Sequence, residues 1–433
     1  MQLTIYRGTK EIGGNCVELC AGSTRLIIDV GMPLVDEGGE PFDTGRLRGK
    51  DIDQLLNEGI LPKVPGLFGD GDPPDAILLS HAHADHTGLL KYTKPEIPVF
   101  LSKGTSKMML AGSIFAGQQN VERKRANILE PRQQLQIGDF TITAYPVDHS
   151  AFDSMAFIVE ADGKRVLYSG DLRLHGRKPG MAKRLIEATK EQPIDVMLME
   201  GTHFGRDNEQ RVTEHELEEQ IVGYIRGAEG LVLAAFSPMH VDRLVTFYRA
   251  AGRTNRTFVV DPYAAFVMHL VSSQCHIPRP EERKGIKVYY NDNFEQSWQR
   301  RRLQKIHDMF AENRIDLEEI ISNPESQVMV FRPSMVQPDF NDNLPNGTTC
   351  IYSYWPGYLK KPDWKNTKQS VEVSNGQFIE AHTSGHILAQ DIVELVNAIG
   401  PRTIIPVHTF EPEAFETRFT NARRLDDEEP REV

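Results

Sequence analysis

The chain alternates between apolar runs of four to eight residues and segments rich in glycine, proline and aspartate. In the first 205 residues these runs have the length and β-branching of buried strands, and they lie at residues 3–7, 25–30, 75–79, 98–101, 140–147, 155–160, 165–168 and 194–199. Residues 103–119 predict a helix. Residues 36–74 show no such pattern, so we expect a loop or small insertion there.

From residue 206 to residue 370 the pattern changes to helices alternating with strands. Helices are predicted at 213–227, 239–251 and 262–273, and strands at 231–235 and 258–260. This alternation indicates an α/β domain inserted into the first one. The strands at 377–380 and 403–407 and the helix at 387–398 then return to the first domain. We therefore predict domains at 1–205 and 371–433, with the insertion at 206–370.

The strand at 75–79 leads into a turn, Ser80 to Gly88, that holds three imidazoles and a carboxylate within six residues. Such a turn splays alternate side chains, so His81 and His83 can face one point while Asp85 and His86 face a second point nearby. Neutral imidazole and carboxylate are ligands that zinc and manganese favour, and one ion cannot use all four from so tight a turn. The pattern indicates two ions. A polar turn with internally bonded histidines is the alternative.

Further candidate site residues stand at or just after other predicted strand ends, namely Asp29, His149, Asp171, Glu200 and His408. Alone, Asp29 is equally compatible with a simple turn, and His149 with a core histidine. The His-rich turn makes a ligand role the favoured interpretation of His149, because an ion held by His81 and His83 needs a third imidazole. Asp171 has two oxygens and can bridge two ions.

Composition and charge narrow the class of protein. The 433 residues carry a net charge of -12 and 39% hydrophobic residues, with no apolar run of about 18 and no charged-then-apolar leader. We therefore expect a cytoplasmic protein with no membrane partner. The four cysteines are too scattered for a disulfide framework. The negative charge argues against indiscriminate polyanion binding, so a nucleic-acid substrate would need a local basic surface and the metals.

These motifs resemble the signature of the metallo-β-lactamase superfamily, and the inserted domain resembles its β-CASP nuclease branch. The Glu11 to Asn15 start and the Ser384 to His386 loop are similar to ribonuclease J-like enzymes. The resemblance implies an α/β fold, an αββα metallo-β-lactamase sandwich with an inserted α/β β-CASP cap domain. The chain ends soon after His408, so we expect it to lack that family's C-terminal domain.

The resemblance also assigns roles to residues. Metal one takes His81, His83, His149 and Asp171; metal two takes Asp85, His86, Asp171 and His408; Asp29 supports the turn. The cofactors implied are two zinc ions, with manganese also accepted, holding a bridging hydroxide. Asp85 would orient the nucleophile, and His386 beside Glu200 would act on the phosphate or the leaving oxygen. A phosphate-binding loop is implied at His382, Thr383, Ser384, Gly385 and His386.

The same resemblance implies single-stranded RNA as the substrate, because RNA-cleaving members keep a histidine where His408 stands. Residues 206–370 hold 21 basic and 22 acidic side chains. Within them, residues 279–305 mix arginine and lysine with Tyr289, Tyr290, Phe294 and Trp298, which suits either a single strand or a solvated helix face. A DNA nuclease, a small-molecule ester, thioester or lactone hydrolase, and a non-catalytic subunit remain alternatives. Endo- or exonuclease mode and a homo-oligomer stay open.

Overall fold

A computed structural model describes residues 1–36, 39–205, 211–283 and 285–433. The chain divides into two compact units, of which the first holds residues 1–174, 178–210 and 385–433, and the second holds 175–177 and 211–384. In the described ranges no helix combines the length and apolar character needed to cross a bilayer.

The first unit contains two sheets. One has the spatial order β20-β1-β2-β3-β4-β5-β6, antiparallel from β20 to β3 and parallel from β3 to β6. Its strands are β1 (Gln2–Arg7), β2 (Cys16–Ala21), β3 (Thr24–Ile28), β4 (Ala76–Leu79), β5 (Val99–Leu101), β6 (Ala126–Ile128) and β20 (Pro430–Glu432).

The second sheet has the order β19-β11-β10-β9-β8-β7, with β10, β11 and β19 parallel and the others antiparallel. Its strands are β7 (Gln134–Ile137), β8 (Phe140–Pro146), β9 (Met155–Ala161), β10 (Lys164–Tyr168), β11 (Val196–Glu200) and β19 (Thr403–Val407).

The two sheets pack face to face, and helices cover their outer faces. Val196 and Leu198 of β11 join the core that both sheets share, whereas Met197 and Met199 point to a second core built with helices. This alternation explains why β11 reads as a continuous apolar run, since both of its faces are buried. The helices of this unit are α1 (Ile52–Asn57), α2 (Ala84–Thr87), α3 (Lys103–Phe115), α4 (Gly180–Thr189), α13 (Ala389–Ile399) and α14 (Pro412–Arg418). The first unit is an αββα sandwich.

The second unit is an α/β domain around a parallel sheet of order β15-β14-β13-β16-β12-β17-β18. Its strands are β12 (Val232–Ala235), β13 (Thr257–Val260), β14 (Ile286–Tyr289), β15 (Arg314–Ile315), β16 (Gln327–Val330), β17 (Thr349–Tyr352) and β18 (Gln377–Glu380). Its helices are α5 (Glu214–Gly227), α6 (Val241–Arg253), α7 (Pro262–Val271), α8 (Asp292–Ser297), α9 (Gln304–Met309), α10 (Leu317–Ser322), α11 (Val336–Phe340) and α12 (Pro362–Val373).

The unit boundaries differ from the domain limits expected from the sequence. The expected junction at 370/371 falls inside α12, and β18 pairs with β17 in the sheet of the second unit. The strand expected at 377–380 is present, but its expected place in the first domain is wrong, because it pairs with β17. The other expected junction, at 205/206, adjoins residue 206, which is outside the described residues.

The segment expected to be a loop at 36–74 contains α1, begun by a capping box in which Asp51 and Gln54 bond each other's backbone. Asp-x-x-Gln is a helix-start signal, but a helix of six residues is too short to show a clear apolar period.

Gly31 shows how tightly the first unit is built around the His-rich turn. A Cβ placed on Gly31 would lie 1.7 Å from the carbonyl oxygen of Asp85 and 2.7 Å from the amide nitrogen of Asn15. Both neighbours are backbone atoms, which cannot swing aside as a side chain can.

We therefore expect Gly31→Ala to destabilise the protein by about 3 kcal/mol, the upper range for overpacking, and to lower the melting temperature by roughly 6–12 °C. Thermal unfolding followed by circular dichroism measures this. Gly180→Ala is the matched control, because its nearest neighbour is the end of Arg184 at 3.6 Å. Equal melting temperatures for the two variants would contradict the packing argument.

Candidate active site

Six strands of the first unit deliver polar side chains from their C-terminal ends. Asp29 follows β3, His81 lies two residues beyond β4, and Glu200 is the last residue of β11. His149 follows β8, Asp171 follows β10 and His408 follows β19. β8, β10, β11 and β19 run in the same direction, so their ends meet at one edge of the second sheet.

The His-rich turn ends in α2, whose N-cap is His83. The helix covers Ala84–Thr87, within the segment expected to be a turn, and a single 3₁₀ turn covers Leu90–Tyr92. Asp85 and His86 therefore sit on the helix, while His81 sits before it. This bend separates the two pairs of side chains.

The first group of candidate ligands consists of His81, His83 and His149, with one nitrogen from each ring within 4.8 Å of the others. His149 Nε2 lies 3.2 Å from His83 Nδ1. His81 and His149 are buried and His83 is half-buried. Three nitrogens facing one point suit a tetrahedral ion with a fourth ligand from elsewhere.

The second group consists of Asp85, His86, Asp171 and His408, also within 4.8 Å of one another and all buried. Asp171 Oδ2 lies 3.2 Å from His86 Nε2 and 3.7 Å from His408 Nε2. The same oxygen lies 3.6 Å from His81 Nε2 and 3.9 Å from His149 Nε2 in the first group. Asp171 thus stands between the two groups.

Several of these atoms lack the partners that buried polar atoms normally have. Among the described residues, nothing hydrogen-bonds to His81 Nε2, to His86 Nε2 or to either carboxylate oxygen of Asp171. Each such atom costs about 1–3 kcal/mol when buried without a bond. A cation satisfies all of them at once, and nitrogen with carboxylate oxygen is a donor set that zinc and manganese accept. The residues fit two divalent ions.

The protonation states of most of these side chains agree with the binding of divalent ions. Burial, reinforced by neighbouring imidazoles, places the pKa of His81 and of His149 well below the usual range, so both rings are neutral. Burial raises the pKa of Asp171, but the charges of His408 and His86 lower it further, leaving the carboxyl ionised. Burial likewise lowers the pKa of His86, yet Asp171 and Asp29 raise it above the usual range. A cation at His86 Nε2 must displace that proton.

Asp29 anchors the turn from behind. Its carboxylate accepts hydrogen bonds from Ser80 N at 2.8 Å, Ser80 Oγ at 2.7 Å and Tyr168 OH at 2.8 Å. His86 Nδ1 lies 2.7 Å from Asp29 Oδ2, so this nitrogen carries the hydrogen and Nε2 faces the site. Asp29 has φ of 60°, a strained backbone conformation that these bonds hold in place.

Two other imidazoles are oriented in the same way. His149 Nδ1 donates to the carbonyl oxygen of Gly385 at 2.6 Å, and His408 Nδ1 lies 2.9 Å from Thr202 Oγ1. Sequence reasoning missed Thr202, although its place just after Glu200 at a strand end was the available signal.

His386 and Glu200 form a pair beside Asp171. His386 Nδ1 lies 3.1 Å from Glu200 Oε2 and 3.7 Å from Asp171 Oδ2. Burial lowers the pKa of His386, but Glu200 and Asp171 outweigh it and raise the pKa to about 9. Glu200 Oε1 accepts from Leu172 N at 2.8 Å. At neutral pH the pair presents a protonated imidazole held by a buried carboxylate.

The loop at 382–386 is divided at the unit boundary, with Gly385 and His386 in the first unit and His382, Thr383 and Ser384 in the second. The helix expected at 387–398 is α13, which begins two residues later than predicted, at Ala389. The hydroxyl of Thr383 donates to Val212 O at 2.5 Å. Backbone groups of Thr383 to Gly385 therefore do not form the first turn of α13.

Inside the second unit, a buried arginine that the sequence did not single out holds this loop. Arg243 donates to Thr383 O at 3.3 Å and to Ser353 O at 2.9 Å, and pairs with Glu214 at 3.0 Å. His382 Nδ1 lies 3.2 Å from Ser353 O, and His175 Nε2 lies 3.0 Å from Ser384 O. The loop is thus tied to its own unit at three successive residues.

The basic and aromatic run at 279–305 does not offer a stacking surface. Tyr289, Tyr290 and Phe294 are buried, and Trp298 is half-buried and stacks on His307 with ring centroids 4.2 Å apart. Lys284, one of its basic residues, lies outside the described residues. These aromatics serve internal packing.

With this geometry in view, comparison with known proteins becomes informative. A family described as "Beta-lactamase superfamily domain" matches residues 52–241. A crystal structure of a protein of unknown function from Enterococcus faecalis V583 superposes with a TM-score of 0.80, covering 100% of this chain and 99% of that one at 20% identity. That likeness concerns the fold.

Curated relatives match over nearly the whole chain. Ribonuclease J of Mycolicibacterium smegmatis is 26% identical over 426 residues, and that of Helicobacter pylori 22% identical over 435. Each match covers 94% of this chain but only 68% and 56% of the respective relative. An RNase J-like protein of Methanocaldococcus jannaschii is 27% identical over 235 residues, covering 51% of this chain and 47% of that protein.

The αββα sandwich with an inserted α/β domain, together with the family match over residues 52–241, is consistent with the metallo-β-lactamase fold. Over 94% of its length the chain is similar to ribonuclease J of the two bacteria named above.

We expect the purified protein, loaded with zinc or manganese and desalted, to retain about two ions per chain. His81→Ala removes one nitrogen of the first group and should lower the content to about one. Elemental analysis by mass spectrometry measures the ratio. His276→Ala is the control, because His276 is exposed in the second unit. Two ions in both variants would argue against the first group as a ligand set.

Proposed function

We propose that this protein is a metal-dependent ribonuclease that hydrolyses phosphodiester bonds of single-stranded RNA. The observation that carries the proposal is the set of partnerless donor atoms around Asp171, with the His386–Glu200 pair beside it. The curated relatives named ribonuclease J support RNA as the substrate class. The second unit would act as a β-CASP cap domain.

In this proposal His81, His83, His149 and Asp171 hold one divalent ion, and Asp85, His86, Asp171 and His408 hold the other. When bound, the two ions supply an activated water at neutral pH and neutralise charge that develops on the phosphate. Five neutral imidazoles and two carboxylates leave two divalent ions with a net charge of about +2, which suits an anionic substrate.

His386 and Glu200 handle the proton on the leaving side. Glu200 keeps His386 protonated, so the imidazole can donate a hydrogen bond to a phosphoryl oxygen or a proton to the departing oxygen. Thr202 Oγ1, 3.2 Å from His386 Nδ1, limits rotation of the ring. Asp85 orients the attacking water or accepts its proton. Burial opposes its ionisation, but the hydrogen bond from His408 and the charge of His86 lower its pKa below the usual range, so the carboxylate is ionised.

The loop at 382–386 is proposed to receive a phosphate of the substrate through backbone N–H groups. Arg243, paired with Glu214, donates to Thr383 O, and His175 Nε2 lies 3.0 Å from Ser384 O, so the second unit holds this end of the loop through two carbonyl groups. Thr383 contributes through its backbone alone, since its hydroxyl is bonded to Val212 O.

The first test is digestion of end-labelled single-stranded RNA bearing a 5′-monophosphate, triphosphate or hydroxyl, with zinc or manganese added. We expect metal-dependent cleavage, with product lengths that distinguish internal from terminal attack. His81→Ala should fall to the level of the metal-depleted protein, whereas His276→Ala should match the unmodified chain. DNA of the same sequence and small esters serve as competing substrates. Cleavage of either with RNA left intact would reject the proposal.

The second test separates the proton-handling pair from the metals. His386→Ala and Glu200→Gln should each lower kcat on RNA by about 10²–10⁴-fold, the range for positioned acid-base groups. The metal content of both variants should stay at about two ions per chain, because neither residue is among the seven proposed ligands. Loss of an ion together with activity would make these residues ligands and contradict the assignment.

A further inference from the structure

Two aromatic side chains of the second unit are held open to solvent next to each other. Trp355 is 58% exposed and Tyr358 is 40% exposed. Their rings meet edge to face, with centroids 5.4 Å apart and planes at 87°. Exposed rings of this size normally mark binding surfaces, because burying them removes much apolar area from water.

The indole of Trp355 is fixed despite its exposure. Trp355 O accepts hydrogen bonds from Tyr352 OH at 2.7 Å and from the backbone N of Tyr358 at 3.1 Å. A Cβ on Gly357 would lie 2.1 Å from the indole, so the ring rests directly against this glycine. A ring already held in place loses little conformational entropy when a ligand covers it.

Four lysines lie close in sequence to the two rings. Residues 355–368 contain Lys360, Lys361, Lys365 and Lys368 against a single acid, Asp363. All four lysines are exposed, and within the described ranges none of their ammonium groups pairs with a carboxylate. Lys361 Nζ lies over the Tyr358 ring, 4.5 Å from its centroid. The chain carries a net charge of -12, whereas this segment has a local excess of +3.

We propose that Trp355, Tyr358 and these four lysines, here called the platform, bind single-stranded RNA outside the metal centre. Aromatic faces stack on bases while ammonium groups neutralise the phosphates between them. The inference rests on the proposed function for its choice of RNA. A second copy of this chain fits less well, because it would bring a net negative charge of its own and two lysine clusters would meet.

The platform also has features that the rest of the second unit lacks among the described residues. The aromatics of the run at 279–305 are packed inside the second unit, and the second unit as a whole is near charge balance. The platform is where exposed rings and uncompensated lysines coincide in the described residues. A strand stacked there is held without sequence preference, since every base has an aromatic face.

Fluorescence anisotropy of a labelled 20-nucleotide oligouridylate, with metal-chelated protein so that no cleavage occurs, tests the platform. Trp355→Ala and Tyr358→Ala should each weaken binding by about five-fold or more, the lower limit for one stacked base. Gly357→Ala should act like Trp355→Ala, because it displaces the ring without removing it. Ile321→Ala, 43% exposed in the same unit, is the control and should change nothing.

Two further measurements separate stacking from charge. With an abasic oligomer of the same length, Trp355→Ala should have no effect, since there is no base to stack. Lys361→Gln with Lys365→Gln should reduce the slope of log affinity against log salt by about 1.4, two phosphate contacts on a single strand. Lys305→Gln is the matched lysine control from the same unit.

The outcomes of these measurements distinguish the platform proposal from the nuclease proposal. If the unmodified protein cleaves RNA but Trp355→Ala and Lys361→Gln bind the 20-mer within two-fold of it, the platform is rejected and the nuclease stands. If RNA binding depends on Trp355 but no RNA is cleaved, the platform stands and the nuclease fails. A change of sedimentation in Trp355→Ala with unaltered RNA affinity would make the surface a protein interface and overturn the inference.

Discussion

The buried carboxylate of Asp171 is the group on which the first unit depends. Five imidazole nitrogens lie within 3.9 Å of its Oδ2, and both of its oxygens lack hydrogen bonds within the described residues. Desolvating an anion costs several kcal/mol unless opposite charge compensates it. Strand ends from two sheets, separated by hundreds of residues, supply the imidazoles, and the sandwich core holds those ends in place. Hydrophobic burial in the sandwich core therefore stabilises a fold in which these polar atoms are held together despite the cost of burying them.

Backbone strain marks the same region. Asp29 and His408 each directly follow a strand and have φ of 60° and 53°, values that cost about 1–3 kcal/mol for residues other than glycine. Hydrogen bonds hold both in place: Asp29 through its carboxylate, and His408 through its backbone N, which donates to Gly8 O at 2.7 Å. The left-handed conformation turns each side chain away from the direction in which its strand was heading. Such turns let a sheet edge present side chains to one point.

The sequence predicted features that contiguous residues encode, and it missed features that depend on contacts between distant residues. His81 to His86 could be recognised because the ligand pattern and the strand before it are contiguous, and the strand ends at Asp171 and His408 followed from short apolar runs. Arg243 could not be singled out, since nothing near it shows that it is fully buried and paired with Glu214. The aromatic run at 279–305 suggested an open surface, but composition cannot distinguish a buried Tyr290 from an exposed one. The sheet that β18 joins depends on long-range pairing, which a strand of four residues does not encode.

Gly385 contributes to the orientation of an imidazole and also lies at the boundary between the two units. Its carbonyl orients His149, its Cα leaves no room for a side chain because a Cβ would lie 2.4 Å from Ser150 Oγ, and Ser384 before it belongs to the other unit. Gly385 therefore orients the proposed ligand His149 and is also the first residue of the segment that returns to the first unit. The orientation of the His149 ring thus depends on the backbone conformation at Gly385, where the chain re-enters the first unit.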